Sequence, residues 1–214
     1  MRAPEQLGPY RYLQSETGFP LGQDSLLLAA FVTLRRGDRV WDLGCGAGAL
    51  LLLLLARESA LEVTGLERDG AEADLARRNL ADNGLAGTIR TGAAEELEAL
   101  QPGAASLVIS NPPYFRAGAG AWGGAARTEA GCTLDQWCAA AGRLLKNGGR
   151  FALVYRPERL AELFAALRAH GMEPKRLRLV QHGPDKAPSA VLTEAVRQGR
   201  PGLEILPTLL LNRR

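Results

Sequence analysis

Residues 39–48, Arg-Val-Trp-Asp-Leu-Gly-Cys-Gly-Ala-Gly, decide the fold of this chain. The first five residues predict a buried strand, and the glycines after it open a leucine-rich helix that begins at Ala49. A glycine-rich turn between a strand and a helix lets a ligand approach backbone amides at the positive end of the helix dipole. The stretch therefore predicts a site for a nucleotide-like cofactor. It does not by itself distinguish NAD from S-adenosylmethionine, because Gly44, Gly46 and Ala49 also match the dinucleotide-binding pattern.

Strands and helices alternate along the chain on both sides of this turn. We expect an edge strand or hairpin at residues 10–17, strands at residues 39–43, 62–67, 88–91, 106–110, 150–155, 176–181 and 190–196, and helices at residues 24–34, 49–57, 70–83, 94–100, 134–145 and 158–170. This alternation is typical of an α/β fold whose mostly parallel sheet, here seven-stranded, is covered by helices on both faces.

The composition is that of a globular domain. The 214 residues are 46% hydrophobic and 23% charged, which excludes the fibrous and disordered classes. We expect one domain over residues 1–214, with residues 1–34 as an N-terminal strand and helix extension of that domain. No segment approaches the roughly 20 apolar residues of a membrane span, and no signal-peptide pattern is present, so we expect a cytoplasmic protein without a membrane partner.

Cysteine usage and charge give weaker indications. Cys45, Cys132 and Cys138 are odd in number and lack the spacing of a disulfide framework or a zinc site, so we expect a reducing compartment and no metal.

Residues 171–214 carry eight basic side chains against four acidic ones. That excess is compatible with a phosphate-bearing partner, although a solvated basic face would have the same composition. Nothing in the pattern specifies an oligomeric state.

A second candidate functional turn follows the strand at residues 106–110. Asn111 offers a side-chain carbonyl and Pro112 a backbone carbonyl, and two such acceptors can hold both hydrogens of an exocyclic amino group. The Pro112-Pro113 step fixes two φ values and keeps these carbonyls rigid. Tyr114 adds a flat surface for stacking. The turn predicts methyl transfer onto a planar amino group.

The two turns together indicate which of the two cofactors the chain binds. Glu67 ends the strand after the glycine turn, where its carboxylate could accept hydrogen bonds from the ribose hydroxyls of either cofactor. A hydride-transfer enzyme has no use for Asn-Pro-Pro-Tyr at the end of the fourth strand, whereas an amino methyltransferase does. The combination favours S-adenosylmethionine.

At this point the chain resembles a known family. Residues 42–48, Glu67 and residues 111–114 are similar to the motifs of Rossmann-type S-adenosylmethionine-dependent methyltransferases that modify adenine N6 or a glutamine amide. Residues 21–31, 126–135 and 186–192 further resemble the bacterial tRNA(Val) adenine-N6 methyltransferases of the anticodon loop. The resemblance implies a class I methyltransferase fold, S-adenosylmethionine as cofactor, tRNA as partner, and methylation of the exocyclic N6 amino group of an adenine.

The motifs and the resemblance assign candidate residues to three roles. The candidate catalytic residues are Asn111, Pro112, Pro113 and Tyr114. The candidate cofactor-binding residues are Asp24, Asp42, Gly44, Cys45, Gly46, Gly48, Glu67, Arg68, Ala93, Ala94 and Asn111. The candidate substrate-binding residues are Tyr114, Phe115, Arg127, Arg176, Arg178 and Lys186.

One position departs from the family pattern, and two other functions stay open. Where such enzymes often hold the cofactor adenine with an Asp after the third strand, this chain has Ala93. A protein glutamine N5-methyltransferase acting on a release factor would use the same turn, but such enzymes usually carry a helical domain before the catalytic one, and about twenty residues precede Leu21 here. A non-catalytic RNA-binding protein that keeps the fold is the other alternative.

The expected mechanism is direct in-line displacement. The amino nitrogen of a flipped-out adenine attacks the sulfonium methyl group, and the carbonyls of Asn111 and Pro112 stabilise the positive charge that develops on nitrogen. Tyr114 and Phe115 would stack on the base. This scheme requires neither a general base nor a metal.

Overall fold

The computed structural model describes residues 4–16, 21–112 and 132–212, in which strands and helices alternate as predicted. The elements are β1 (Glu5–Leu7), β2 (Tyr10–Tyr12), α1 (Gln23–Phe31), β3 (Arg39–Leu43), α2 (Ala49–Arg57), β4 (Glu62–Glu67), α3 (Gly70–Asp82), β5 (Thr88–Thr91), β6 (Ala105–Ser110), α4 (Leu134–Leu144), β7 (Leu145–Tyr155), α5 (Leu160–Ala169), β8 (Met172–Gln181), β9 (Ala190–Arg197), β10 (Glu204–Ile205) and β11 (Leu209–Leu210). Short 3-10 turns at Leu97–Ala99 and Pro157–Arg159 precede β6 and α5.

The main sheet has the strand order β10–β8–β9–β7–β6–β3–β4–β5, with β11 also paired to β8. Its strands pair in parallel except at β9, which runs antiparallel to both β7 and β8. The chain proceeds outward from β3 to β4 and β5 and then returns to β6 on the other side of β3. In open α/β sheets, ligands bind outside the carboxyl ends of the strands where the strand order reverses in this way. The topology therefore predicts a ligand site at the carboxyl ends of β3 and β6, at Leu43 and Ser110.

The sheet contains two strands more than the seven that the sequence predicts. The additional strands, β10 and β11, pair with the outer edge of β8. Each is two residues long, which is too short to produce a detectable alternation of apolar and polar residues. The helix predicted at residues 94–100 is also wrong, because only the 3-10 turn at Leu97–Ala99 forms there. One turn is enough to bury Leu100, which is 2% exposed, and the chain then enters β6.

The N-terminal residues form a hairpin rather than an edge strand of the main sheet. Strands β1 and β2 pair with each other, so the hairpin begins earlier than the predicted residues 10–17. Leu7 and Tyr12 of this hairpin are buried in the same apolar cluster as α2. Because α2 lies between the sheet and the hairpin, its leucines at 50–55 are almost all buried, which explains a helix that is apolar all round.

Two apolar clusters lie on opposite faces of the sheet. Side chains of α1, α2 and α3 pack on the face that includes Val40, Ile109 and Val154. Side chains of α4 and α5 pack on the face that includes Val108 and Phe151. This arrangement confirms the predicted α/β fold with helices on both faces of a mostly parallel sheet.

A buried ion pair lies near the starts of β3 and β6, at the end of the sheet opposite Leu43 and Ser110. Arg150 of β7, 4% exposed, donates a hydrogen bond of 2.5 Å to Asp38, which directly precedes β3 and is 6% exposed. Asp38 also accepts hydrogen bonds from the Ser106 hydroxyl of β6 at 2.7 Å and from the Arg35 amide at 2.8 Å. Burial alone would raise the pKa of Asp38, but these three donors outweigh it and lower the pKa below its usual value.

None of the helices in the described ranges is long and apolar enough to cross a membrane. Within the same ranges, no three His, Cys, Asp or Glu side chains converge in a way that could hold a metal ion.

Candidate functional site

The glycine turn between β3 and α2 forms the floor of the candidate site. Gly44, Gly46 and Gly48 all have positive φ values, of 71°, 51° and 84°, which glycine adopts at little cost. The amides of Gly44 and Cys45 donate to the Leu66 carbonyl at 2.8 and 3.1 Å, which fixes the start of the turn against the end of β4. Gly48 is the N-cap of α2. The predicted glycine residues are therefore brought together at the positive end of a helix dipole.

Close packing beneath the turn leaves no space for larger residues. A Cβ on Gly44 would lie 2.9 Å from the ring of Trp137, which belongs to α4. A Cβ on Gly65 of β4 would lie 2.6 Å from the sulfur of Cys45. Burial, followed by the charges of Asp42 and Glu67, raises the pKa of Cys45 well above its usual value, so this residue remains a neutral thiol. Cys45 contributes to the candidate site through its backbone and its packing.

Asp42 is the most unusual group at the site. It is fully buried at the end of β3, and neither of its carboxylate oxygens accepts a hydrogen bond from any described residue. Burial, and then the nearby charge of Glu67, raise the pKa of Asp42 well above its usual value. Buried polar groups in proteins are nearly always hydrogen-bonded, so an unpartnered carboxylate beside the glycine turn fits a site for a ligand that supplies donors.

Glu67 lies across the opening of the glycine turn. Its Oε2 accepts a hydrogen bond from the Gly46 amide at 2.8 Å, and its Oε1 accepts one from the Asp69 amide at 2.9 Å. A carboxylate has about four acceptor positions, so two remain for the paired hydroxyls of a ribose. The two backbone donors hold the side chain at the carboxyl end of β4, where the sequence predicts it.

The Asn-Pro-Pro-Tyr turn begins at the end of β6, on the other side of β3. The buried hydroxyl of Ser110 donates to the Leu43 carbonyl at 2.8 Å and ties the ends of the two strands together. Asn111 donates from Nδ2 to the hydroxyl oxygen of Ser25 in α1 at 3.1 Å. Its Oδ1 is therefore turned away from Ser25 and is left for another donor. Pro112 is buried beside it.

The remaining predicted cofactor residues lie around these groups. Ala94 is buried and Ala93 partly buried after the end of β5, in the place where the family pattern expects an adenine contact. Arg68 forms an ion pair with Glu95 at 3.1 Å, so its side chain bridges the two loops beside this position. Asp24 lies in the first turn of α1, one residue before Ser25.

The described basic residues predicted to bind substrate lie on β8 and in the loop after it. Arg176 of β8 stacks on the ring of Phe31 at 4.9 Å, donates to the Thr33 hydroxyl and lies 3.4 Å from Glu194. These contacts give Arg176 a structural role, and its phosphate role stays a prediction. Arg178 is partly buried, and its Nε has no hydrogen-bond partner among the described atoms. Lys186 is exposed in the loop after β8, at the sheet edge where β6 and β7 also end.

Four of the predicted residues, Pro113, Tyr114, Phe115 and Arg127, lie outside the described residues. Sequence reasoning missed three residues that the structure brings to the site: Ser25, Trp137 and Asn79, the last of which bonds to the Ala47 carbonyl of the glycine turn. Ser25 carried a weak signal, because it follows the predicted helix start at Asp24. Trp137 and Asn79 lie inside predicted helices, where an apolar or polar residue gives no indication of which turn it contacts.

The glycine turn, the strand-end carboxylates and the Asn-Pro turn on this sheet define a class I S-adenosylmethionine-dependent methyltransferase fold. The chain belongs to the methyltransferase small domain family, whose model matches residues 21–170. Both findings confirm the resemblance inferred from the motifs.

Two curated relatives carry the same name. The chain is 39% identical over 153 residues to the tRNA1(Val) (adenine(37)-N6)-methyltransferase of Dickeya chrysanthemi (strain Ech1591), a match that covers 69% of this chain and 60% of that protein. It is 32% identical over 184 residues to the enzyme of that name from Tolumonas auensis, a match that covers 84% of this chain and 77% of the relative. The chain thus spans about 60% of the length of the first of these relatives.

Solved structures agree with the fold. A predicted O-methyltransferase from Agrobacterium tumefaciens superposes with a TM-score of 0.74 at 26% identity and covers 88% of each chain. A methyltransferase from Pyrococcus furiosus superposes with a TM-score of 0.66 at 19% identity, covering 89% of this chain and 90% of that one.

Proposed function

We propose that this protein is an S-adenosylmethionine-dependent methyltransferase that modifies the N6 amino group of an adenine in tRNA. The proposal rests on the position of the Asn111 side-chain amide, which follows β6 at the point where the strand order reverses. Its Nδ2 donates to Ser25, so its Oδ1 is available as an acceptor. A carbonyl fixed at this place is what recognition of a planar amino group requires.

The groups around the glycine turn support the cofactor assignment. When bound, S-adenosylmethionine supplies an electrophilic methyl group on a positively charged sulfur. Asp42, buried and unpartnered among the described residues, would accept hydrogen bonds from the amino-acid end of the cofactor, with Asp24 close to the same end. Glu67 would accept hydrogen bonds from the ribose hydroxyls, and the backbone of Ala93 and Ala94 would contact the adenine.

Asn111 and Pro112 would act on the acceptor nitrogen. Their two carbonyl oxygens would hold the hydrogens of the amino group and leave its lone pair free. As the N–C bond forms and the S–C bond breaks, positive charge develops on nitrogen, and the two oxygens stabilise it. A proton then leaves the nitrogen for solvent. The proline ring at 112 restricts the backbone, so little reorganisation is needed during the reaction.

The relatives support tRNA as the acceptor. The two curated relatives described above are named for an adenine of tRNA1(Val), whereas neither is named for a protein acceptor. Lys186, exposed in the loop after β8, is the described basic side chain among the candidates that best suits a contact with phosphate. Such contacts position a nucleic acid without reading its sequence.

The experiment that tests the proposal is transfer of labelled methyl from S-adenosylmethionine to total tRNA lacking the modification, followed by nucleoside mass spectrometry. The protein should produce N6-methyladenosine, and Asn111→Ala should bind cofactor but turn over about a hundredfold more slowly. Asn147→Ala, which changes an exposed Asn of β7, is the matched control and should retain full activity. Label on a protein would overturn the choice of acceptor, and cofactor binding without transfer to any RNA would identify a non-catalytic protein.

A further inference from the structure

Asn79, in the middle of α3, uses its whole side chain to connect two distant parts of the chain. It is 1% exposed. Its Oδ1 accepts from the Leu13 amide at 2.8 Å, and its Nδ2 donates to the carbonyls of Leu13 and Ala47, both at 2.8 Å. The side chain therefore pairs with the N-terminal segment as a neighbouring strand would, and it also reaches the glycine turn.

The bond to Ala47 satisfies a carbonyl that helix α2 does not use. Ala47 is 4% exposed and precedes the N-cap residue Gly48, so its carbonyl lies outside the hydrogen-bond ladder of the helix. The other side of the same peptide plane is also bonded, because the Gly48 amide donates to the Cys45 carbonyl at 2.9 Å. Asn79 and Cys45 together fix the orientation of the Ala47–Gly48 peptide.

A second peptide plane continues this connection. The Cys45 carbonyl that accepts from Gly48 belongs to the peptide whose amide is that of Gly46. The Gly46 amide donates to Oε2 of Glu67 at 2.8 Å. A chain of hydrogen bonds thus runs from Asn79 through two peptide planes of the glycine turn to the Glu67 carboxylate.

Hydrogen bonds are the main means by which this turn can be held. Gly46 and Gly48 have no side chain to pack, and their positive φ values lie in a region that glycine samples freely. Losing one hydrogen bond of this series would free a peptide plane to rotate, and the next hydrogen bond in the series would then lose its partner. Asn79 therefore supports, through the turn, one of the two backbone hydrogen bonds that hold the Glu67 carboxylate, and the Asp69 amide supplies the other.

We propose that Asn79 is a positioning residue for cofactor recognition, acting through the glycine turn on Glu67, the carboxylate assigned to the ribose hydroxyls. The inference rests on the proposed cofactor and does not depend on the acceptor. The cofactor part recognised in this way is the nucleoside, so the probe is S-adenosylhomocysteine, which keeps the ribose and lacks the reactive methyl group.

Asn83, one helical turn after Asn79 at the C-cap of α3, provides the matched control. Its Oδ1 accepts from the Arg11 amide at 2.9 Å, and its Nδ2 donates to the backbone carbonyls of Arg11 and Asn79, both at 2.7 Å. It holds the same N-terminal segment as Asn79, but none of these bonds reaches the glycine turn. Loss of Asn83 should loosen the segment without changing the position of Glu67.

The test is a double-mutant cycle on the full chain, with the dissociation constant of S-adenosylhomocysteine measured by calorimetry. Asn79→Ala should raise this constant by about fivefold or more, the equivalent of about 1 kcal/mol for one lost hydrogen bond. Asn83→Ala should leave it within about twofold. In a Glu67→Ala background the effect of Asn79→Ala should shrink to about twofold or less, since the carboxylate through which it acts is gone. If Asn79→Ala does not fold, Asn79→Asp replaces it, because it keeps the shape and the acceptor for Leu13 but removes the amide donor.

Three results would overturn the inference. An effect of Asn79→Ala that is equally large with and without the Glu67 carboxylate would mean a purely structural role, and no effect would mean no role in cofactor binding. Wild-type protein that fails to bind S-adenosylhomocysteine would overturn the cofactor assignment and this inference together. Wild-type protein that binds it but methylates no tRNA would overturn only the acceptor assignment.

Discussion

Asp42→Asn should change stability and cofactor affinity in opposite directions. Asp42 is fully buried, and no described residue donates a hydrogen bond to its carboxylate. The amide side chain has the same shape, so the substitution removes a buried charge near Glu67 without opening a cavity. The ligand-free protein gains stability because it no longer has to bury this ionisable group. The complex loses an acceptor that the proposed cofactor would use.

The magnitudes follow from the surroundings of the carboxylate. In the folded protein the buried carboxyl group must either hold a proton or carry an unpaired charge, both of which cost more than a neutral amide, so we expect the free energy of unfolding at neutral pH to rise by about 1–2 kcal/mol. A hydrogen bond to a charged acceptor contributes about 1.5–3 kcal/mol, so the dissociation constant of S-adenosylhomocysteine should rise by roughly tenfold to a hundredfold. Urea unfolding followed by tryptophan fluorescence gives the first quantity, and calorimetry gives the second.

The pH dependence has a definite sign. Burial and then the Glu67 charge raise the pKa of Asp42 in the folded protein, so the folded state holds its proton over an interval where the unfolded state has lost it. The contribution of Asp42 to stability is full below the usual pKa of an Asp and is lost as the pH rises through the raised value. The stability advantage of Asp42→Asn over wild type should therefore widen with increasing pH.

Asp38→Asn is the control with the opposite outcome. Asp38 is also buried, but it is paired with Arg150, and its pKa is lowered. Its contribution is present above the usual Asp pKa and is lost as the pH falls through the lowered value. Breaking this pair should cost about 3–5 kcal/mol and leave the affinity of the folded protein for S-adenosylhomocysteine unchanged. If Asp42→Asn instead lowers the unfolding free energy and keeps full cofactor affinity, the reasoning about Asp42 is wrong.

Four further substitutions test other parts of the protein. Ser25→Ala should lower kcat about twofold to tenfold without weakening S-adenosylhomocysteine binding, because it removes only the bond that orients Asn111; an unchanged kcat would show that the amide is held by other means. Gly44→Ala should destabilise the fold by about 1–2 kcal/mol or more, as read from thermal unfolding, since φ is 71° and the new Cβ would lie 2.9 Å from the indole of α4; a wild-type melting temperature would contradict this. Lys186→Ala should weaken tRNA binding and reduce by about 1 the slope of log affinity against log salt concentration. Arg176→Ala should instead lower thermal stability, because its guanidinium contacts the protein itself. If both variants and the wild type show equal slopes, Lys186 does not contact the RNA.

The proposed cofactor half of the site, which comprises the glycine turn, Glu67 and Asn111, could be located from short stretches of sequence. Gly44, Glu67 and Asn111 each end or follow a strand of a parallel sheet, and the carboxyl ends of such strands meet at one edge. Residue type and spacing were therefore enough to predict that these three residues lie close together. The number of strands was less predictable, because two-residue strands such as β10 form only when a longer strand offers its edge.

Contacts between distant segments were not predictable. Nothing in the sequence around Asn79 indicates that its amide bonds to Leu13 and Ala47, since both partners are backbone groups of remote segments. Arg176 shows the converse difficulty, because a basic residue near the C-terminal end was assigned to phosphate although Phe31 and Glu194 contact it. A basic residue type indicates what a side chain can bind, and only the tertiary structure shows what already binds it.

The position of β9 between β7 and β8 has a consequence for how the protein is made on the ribosome. When residues up to the end of β8 have emerged from the ribosome, strands β3 to β6 can already pair with one another. The glycine turn and Asn111, which follow two of these strands, can then take up their positions. The inner edges of β7 and β8 stay open until Ala190–Arg197 arrives to pair with both. Open edges of apolar strands invite pairing with other chains. Synthesis therefore passes through an interval in which the cofactor half is complete and the other half of the sheet is most exposed to aggregation.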